Sequence, residues 1–395
     1  MDVTGKGAPA VDFSGVVLCD EDRLFQTELR AFLADVVTAD VISRDRQTGD
    51  NFDEGVHLAL GAAGYLERDW LPESQGGFSA VQRRIWELEI GRAHTPWFHW
   101  GTTAMVANAV HDFGSDELRD EVLAKTLSGH YRLCLGFTEP EGGSDVATCK
   151  TRAVRDGDGW VINGSKMFTS NAHHAHYVFL LTNTNPGAPK HQSLTMFLVP
   201  LDAAGVDIQP IRTVDGDRTN TTFYSDVRVP DRYRLGDVDG GWTVLRTALD
   251  AEHGTGERDE SGLQKIATMT EHALLLAEGL DAVAGSAAGS VVGEGSVAYR
   301  LGRSVARMEA ALSTPGMYGR VAIATALREL SPELMDVQGA SGGLASADLD
   351  AQYLFRLGVP MGIYGGTLEV FRNMIAQHAL GLGRPAYAPA TAGRS

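Results

Sequence analysis

Leu135-Gly136-Phe137-Thr138-Glu139-Pro140-Glu141-Gly142-Gly143-Ser144-Asp145 opens the stretch that decides the fold, and Gly159-Trp160-Val161-Ile162-Asn163-Gly164-Ser165-Lys166-Met167-Phe168-Thr169-Ser170-Asn171 closes it. The first half reads as a strand running into a loop of small residues, Glu141 to Asp145. The lack of bulky side chains there lets backbone N–H groups close on an anionic ligand such as a phosphate. The second half reads as a hairpin arm: Asp156-Gly157-Asp158-Gly159 punctuates, Trp160-Val161-Ile162 extends, and Asn163-Gly164 is expected to form a tight turn before another extended run. Phe168 lies two residues from Ser170, a hydroxyl that can face the same ligand.

Outward from this stretch the pattern changes on both sides. Upstream, Leu24, Phe25, Leu29, Phe32, Leu33 and Val36 have helical spacing, with Asp20 and Arg23 placed to cap the helix. A second apolar run spans Val56 to Leu66, a loop follows at Asp69 to Gly77, and helical patterns return through Val81 to Ala93 and Thr102 to Phe113. His94, Trp97, His99 and Trp100 crowd one short segment. With no carboxylate or Cys to complete a ligand set, they read as core and not as a metal centre. Downstream, Tyr177–Thr182, Leu194–Val199, Val206–Ile211 and Thr222–Val229 are short β-rich runs separated by Gly, Pro and Asn/Asp turns. From Gly241-Trp242 the spacing is helical again, in one seam through Ile266, Met269, Ala273, Leu276 and Leu280 and another through Val321, Leu327 and Leu330. Thr367 is placed to cap a last helix, with Glu369 in its first turn.

The fold class expected is therefore α+β: a helical N-terminal domain over residues 20–130, a central antiparallel β-barrel or sandwich over 131–238, and a C-terminal helical bundle over 239–386. Residues 1–19 and 387–395 read as tails. A net charge of −17 opposes nucleic acid and anionic membrane as partners. Cys19, Cys134 and Cys149 are odd in number and in no metal-like spacing, which fits reduced thiols in a cytoplasmic protein. The acidic N-terminal stretch has neither a secretory nor a transit pattern, and no run approaches the roughly 20 apolar residues of a membrane helix.

Thr138-Glu139-Pro140 with Gly142-Gly143-Ser144-Asp145, followed by Asn163-Gly164-Ser165-Lys166-Met167-Phe168-Thr169-Ser170-Asn171, resembles the paired signature of the acyl-CoA dehydrogenase family. Trp70-Leu71-Pro72 through Gly76-Gly77 and Asp226-Val227-Arg228-Val229-Pro230 are similar to further family segments, so the resemblance covers roughly residues 20 to 385. It implies FAD as cofactor, contacted by Phe137, Thr138, Gly143, Ser144, Phe168, Ser170, Gly366, Thr367 and Glu369, with Phe168 against the isoalloxazine and Ser170 near its N5 edge. The implied reaction is α,β-dehydrogenation of an acyl-CoA thioester, the electrons passing to an electron-transfer flavoprotein or similar acceptor.

Many family members carry their base as the Glu of a Tyr-Glu-Gly-Thr motif; here that motif reads Tyr364-Gly365-Gly366-Thr367. Others carry it on the first helix after the β-domain, ten residues past Gly-Trp, which is the address of Glu252. The resemblance thus assigns the α-proton to Glu252 and leaves the Gly365 backbone N–H as a donor to the thioester oxygen. Asp250 and His253 fall at substrate-contacting positions, and His253 stands where an Arg is usual. Base placement on this helix accompanies branched or bulky acyl groups in the family.

Symmetric tetramers of the family hold a neighbour's FAD with Arg-x-x-Phe-Gly, where this chain has Asp281-Ala282-Val283-Ala284-Gly285. An Asp repels a phosphate. The expected assembly is an α2β2 tetramer with a homologous subunit, resembling heteromeric bacterial enzymes of steroid side-chain breakdown. The competing readings are a non-catalytic partner subunit, an oxygen-using acyl-CoA oxidase or flavin monooxygenase, and a dehydrogenase of acyl-carrier-protein thioesters.

Overall fold

A computed structural model describes residues 17–252, 279–280, 283, 295–314, 316–339 and 351–383, and the side chains within them except those of residues 250–252, 312 and 316. The described residues begin with seven helices: α1 (Asp20–Val36), α2 (Ala39–Thr48), α3 (Glu54–Ala62), α4 (Tyr65–Trp70), α5 (Ala80–Arg92), α6 (His99–Phe113) and α7 (Asp116–Leu127). The cap of α1 is Cys19, whose sulfur accepts from the Asp22 N–H; Asp20 is instead the first helical residue and holds Arg23 at 3.0 Å. Phe25, Leu29 and Leu33 recur every fourth residue, so one face of α1 buries against Leu60, Trp86 and Ile90. Each such side chain contributes about 1.5–3 kcal/mol when fully buried. The Val56–Leu66 run is split by Gly64, which turns the chain at φ 75° between α3 and α4. Trp100 is fully buried, its indole N–H donating to Asp69 at 2.7 Å, and Arg83 pairs with the same carboxylate at 2.6 Å.

The middle of the chain corrects the barrel expectation. Its eight strands form one open, mixed sheet in the order β6-β7-β3-β2-β4-β5-β8, with β1 beside β4. The strands are β1 (Leu133–Gly136), β2 (Arg152–Asp156), β3 (Gly159–Lys166), β4 (Tyr177–Asn183), β5 (Leu194–Pro200), β6 (Val206–Arg212), β7 (Arg218–Pro230) and β8 (Arg234–Leu235). Pairing is antiparallel except along β1 and β4 and at the single bridge Arg152↔Asn183, which links β2 to β4. That one bridge is the corner between two leaves. Trp160 of β3 meets Phe197 of β5 edge to face at 5.3 Å, so the two leaves share a core although the sheet stays open. β4 and β5 are buried along almost their whole length because the helices cover their other face, which is why both read as unbroken apolar runs.

Asn163-Gly164 is not a turn. The turn is Gly157-Asp158 between β2 and β3, and Asn163-Gly164 lies inside β3 at a register shift opposite β7. Asn163 accepts from the Asp226 N–H at 2.9 Å and donates to the Asp226 side chain at 3.0 Å, while Asp226 takes φ 52°. Gly164 is required by proximity: a Cβ there would sit 2.7 Å from Thr151 Cα.

After β8 come α8 (Gly241–Glu252), α9 (Gly295–Leu312), α10 (Gly316–Gln338), α11 (Ala351–Gly358) and α12 (Leu368–Met374). Their core includes Met308, Leu327, Leu330, Leu334 and Leu354. Of the first expected seam, Leu280 is buried there, while Ile266, Met269, Ala273 and Leu276 lie outside the described residues.

Candidate active site

β1 delivers the chain to Phe137 and Thr138, and two backbone bonds between Glu139 and Gly142, at 3.0 and 3.1 Å, then fold it back on itself. The Glu139 side chain turns inward. Its Oε1 accepts from Lys166 Nζ at 2.8 Å, the Thr151 N–H at 2.8 Å and Cys149 Sγ at 3.2 Å, and its Oε2 accepts from the Lys150 N–H at 2.7 Å. Lys166 is fully buried and reaches the Phe137 carbonyl at 3.3 Å as well. Burial alone would raise the Glu139 carboxyl, but the Lys166 ammonium and the bonds from Thr151 outweigh it and lower it to about 2. The same burial pushes the Cys149 thiol up to about 11, which leaves it a neutral donor. A buried charge pair thus clamps both ends of the small-residue loop to β3. Within the loop, a Cβ on Gly142 would meet Thr148 Oγ1 at 3.2 Å and one on Gly143 would meet Thr138 Cγ2 at 3.4 Å, so glycine keeps the floor open.

The second half of the motif lies against the first: the Met167 N–H donates to the Thr138 carbonyl at 2.8 Å. Phe168 follows at φ 56° and Asn171 at φ 69°, left-handed conformations that cost a non-glycine residue about 1–3 kcal/mol each. Despite that cost Phe168 stays 55% exposed, an aromatic face held toward open space instead of core. The Thr169 N–H donates to the Asn220 carbonyl at 2.8 Å, the Asn220 amide returns a bond to the Thr169 carbonyl at 3.1 Å, and the Ser170 hydroxyl sits 3.0 Å from that of Thr219. Thr138, Gly143 and the start of the Met167–Ser170 segment are thereby brought side by side, with Phe137 and Ser144 next to them in the chain. An open small-residue loop beside an exposed ring and a hydroxyl fits a ligand with both an anionic and a planar aromatic part, as FAD has.

Gly365, Gly366, Thr367 and Glu369 form a turn on the C-terminal helices. Gly362, Gly365 and Gly366 take φ 81°, 58° and 93°. Arg320 of α10 donates to the Tyr364 and Gly366 carbonyls, and its guanidinium lies 4.7 Å over the Phe371 ring. Thr367 caps α12 by accepting from the Val370 N–H at 3.2 Å, with Glu369 in the first turn.

Helix α8 starts beside the end of α6. The Gly236 N–H donates to the Phe113 carbonyl at 3.0 Å, and a Cβ on Gly236 would meet Val244 of α8 at 2.7 Å. From there α8 packs along α6 through buried Val244, Leu245 and Ala248. Glu252 is its last residue, about 16 Å from the first at 1.5 Å per residue. The side chains of Asp250 and Glu252, all of His253, and residues 281, 282 and 284–286 lie outside what is described.

Sequence reasoning missed a histidine-rich seam between the N-terminal helices and the sheet. His57 and His99 are buried, and Phe52 lies between them at 5.7 and 4.7 Å. Burial, with a contribution from Arg132, lowers His57 to about 4, and burial takes His99 well below its ordinary value. Beside them, Asp50 faces His173 Nε2 at 3.2 Å and His174 Nε2 at 3.5 Å. The signal in the chain was His173-His174 directly after Asn171, but Asp50 comes from 123 positions away. No helix among the described residues is long and apolar enough to cross a membrane.

The family model for the acyl-CoA dehydrogenase N-terminal domain matches residues 19–130, and that for the middle domain matches residues 134–227, together more than half of the chain. Acyl-CoA dehydrogenase IpdE1 of Mycolicibacterium smegmatis is 32% identical over 92% of this chain and 98% of its own length. The chain spans 61% and 58% of the length of two other curated relatives from Mycobacterium tuberculosis, at 34% and 35% identity. The Tcur3481-Tcur3483 steroid ACAD superposes at TM-score 0.80 with 29% identity, over 95% of this chain and all of that one. The ChsE4-ChsE5 complex from Mycobacterium tuberculosis superposes at TM-score 0.78 with 27% identity, over 94% and 100%.

Proposed function

The chain belongs to the acyl-CoA dehydrogenase family, and from that premise we propose that it binds FAD and converts an acyl-CoA to its 2-enoyl-CoA, with Glu252 removing the α-proton. FAD, when bound, supplies the acceptor for the β-hydride. The observation that carries the reading is the cradle itself: a loop clamped by a buried Glu139–Lys166 pair beside an exposed Phe168 on strained backbone. Strain of that kind persists where surroundings over-determine it, and it concentrates at ligand sites.

Within this reading Phe137, Thr138, Gly143 and Ser144 would hold the phosphate-bearing part of FAD, and Phe168 and Ser170 would face its ring. Gly366, Thr367 and Glu369 contribute from the C-terminal turn. The Gly365 N–H stabilises the negative charge that grows on the thioester oxygen as the proton leaves, a role that needs backbone and no side chain. Glu252 needs a water-poor setting to bring its carboxyl near working pH, and Asp250 and His253 flank it toward substrate. The assignment rests on the ten-residue interval between Trp242 and Glu252.

Substrate and assembly follow from relatives and from sequence. The steroid ACAD named above supports a bulky acyl group, and the ChsE4-ChsE5 complex supports a homologous partner subunit. Asp281 at a phosphate-binding address favours an α2β2 tetramer in which the partner completes the FAD site. An electron-transfer flavoprotein or similar acceptor would receive the electrons.

Anaerobic titration with an acyl-CoA panel tests the reading. The wild-type chain with its partner bleaches the flavin, and Glu252→Gln slows bleaching by about 10²–10⁴-fold while keeping the flavin. Equal bleaching by the variant removes Glu252 from the role. Rapid reoxidation on admitting air makes the enzyme an oxidase.

A further inference from the structure

Asn220 Nδ2 donates both of its hydrogens, one to the Thr169 carbonyl at 3.1 Å and one to His173 Nδ1 at 3.0 Å. The amide cannot be turned over, since its oxygen would then face the Thr169 carbonyl oxygen; as it stands, that oxygen accepts from Arg218 Nε at 3.4 Å. His173 Nδ1 is therefore the unprotonated nitrogen, and its proton sits on Nε2, which points at Asp50 Oδ1 at 3.2 Å. Asp50 belongs to the segment between α2 and α3, and His173 lies two residues after Asn171 in the chain.

We propose that Asp50 and His173 form a strut between the N-terminal helices and the sheet that positions the Phe168–Asn171 loop. The proposal rests on the reading of Phe168 and Ser170 as flavin-facing. The loop holds two non-glycine residues in left-handed backbone, and it needs outside bonds to stay there. Its own hydrogen bonds to Asn220 supply part of that. Asp50 supplies the rest at one remove, because it fixes His173 in the tautomer that accepts from Asn220, and Asn220 in turn holds Thr169. Asp50 and His173 are positioning residues; Phe168 and Ser170 are the groups they orient.

The surroundings keep the ring neutral. Burial first, then His174 on the same loop and Arg218 on β7, lower His173 to about 4, with Asp50 opposing them. His99 on α6 joins the same set and bonds the Asp50 backbone. A proton added to His173 Nδ1 would collide with the Asn220 donor, so acid should break the link to Asn220 while the Nε2–H stays on Asp50.

Asp50, His173 and His174 also present one ligand atom each within 4.8 Å of one another, as a metal site does. A metal on His173 Nε2 would demand a proton on Nδ1, against the Asn220 donor, so the hydrogen bonds favour the strut.

The test uses the full chain with its partner, labelled with 15N-histidine, with and without FAD. His173 is expected as the neutral Nε2–H tautomer from about pH 8 to about pH 5, and Asn220→Asp is expected to convert it to the Nδ1-protonated form. Asp50→Ala should weaken FAD retention about tenfold. Asp50→Asn, which keeps an acceptor oxygen, should restore it to within about twofold. The strut is overturned by an Nδ1–H tautomer or an imidazolium in the wild type near neutral pH, by unchanged FAD retention in Asp50→Ala, or by a stoichiometric shift of the His173 and His174 signals on adding Zn2+. Because the tautomer is read in the flavin-free chain as well, failure of the wild type to bind FAD would sink the functional reading and leave this one to be decided by the nitrogen signals.

Discussion

Two glycine-rich turns carry the candidate site, and they are held by opposite means. The loop from Glu139 to Asp145 is clamped by side-chain charge, Glu139 against a fully buried Lys166. The turn from Gly362 to Thr367 is held through its main chain, by Arg320 on the Tyr364 and Gly366 carbonyls and by three glycines at positive φ. The first turn should be sensitive to any change of charge and the second to any added carbon. Where a site is held by charge its residues stand out in the sequence; where backbone holds it, Gly365 can lack a side chain altogether and the turn still form.

Lys166→Met is the strongest way to break the contrast. It strands Glu139 as a buried unpaired carboxylate and should cost about 3–5 kcal/mol in urea unfolding, most of which Glu139→Gln in the same chain should recover. No recovery in the double variant would mean that the loop is not held by charge. The same pair sets an acid limit. The folded carboxyl is lowered to about 2 from an ordinary 4.5, so its stabilisation is whole above about pH 4.5 and disappears as pH falls toward 2. Glu139→Gln should flatten that segment of the stability curve.

A smaller effect is expected from Gly366→Ala, which places a Cβ 2.8 Å from Phe371 Cε2 at φ 93°. It should cost about 1–3 kcal/mol. Gly143→Ala, whose Cβ meets nothing closer than 3.4 Å, should leave unfolding within about 0.5 kcal/mol and act on FAD retention instead. If the two alanines destabilise equally, the two turns are not held differently. Least is expected of Thr367→Ala, about 1 kcal/mol for a lost helix cap, with Thr367→Ser close to wild type by thermal melting.

Much of the architecture could be read from local pattern. The order of helices, strands and helices follows from spacing, and Thr367 and Glu369 occupy the cap and first turn that their chemistry suggests. What escaped was set by distant neighbours. Asn163-Gly164 has the composition of a hairpin turn, but Gly164 is there because Thr151 approaches from β2's end of the chain. Strand composition says nothing about whether a sheet closes, so the barrel expectation had no local check against the single bridge Arg152↔Asn183. Asp50 carries no local signal, because His173 meets it from 123 positions away. Phe168 and Ser170 stood out because they sit in a side-chain motif, and their proposed flavin contacts rest on that motif as the Glu252 assignment rests on its interval from Trp242.

An unclosed sheet must guard its rim. β6 is the end strand of the order, paired only with β7, and its Asp207, Gln209, Pro210 and Arg212 are exposed. It carries Asp207, Arg212 and Pro210, the last a residue with no N–H to offer an incoming strand. Replacing Pro210 by valine would restore that donor on a β-prone residue, and the chain would then expose a template on which further copies could assemble edge to edge as aggregates.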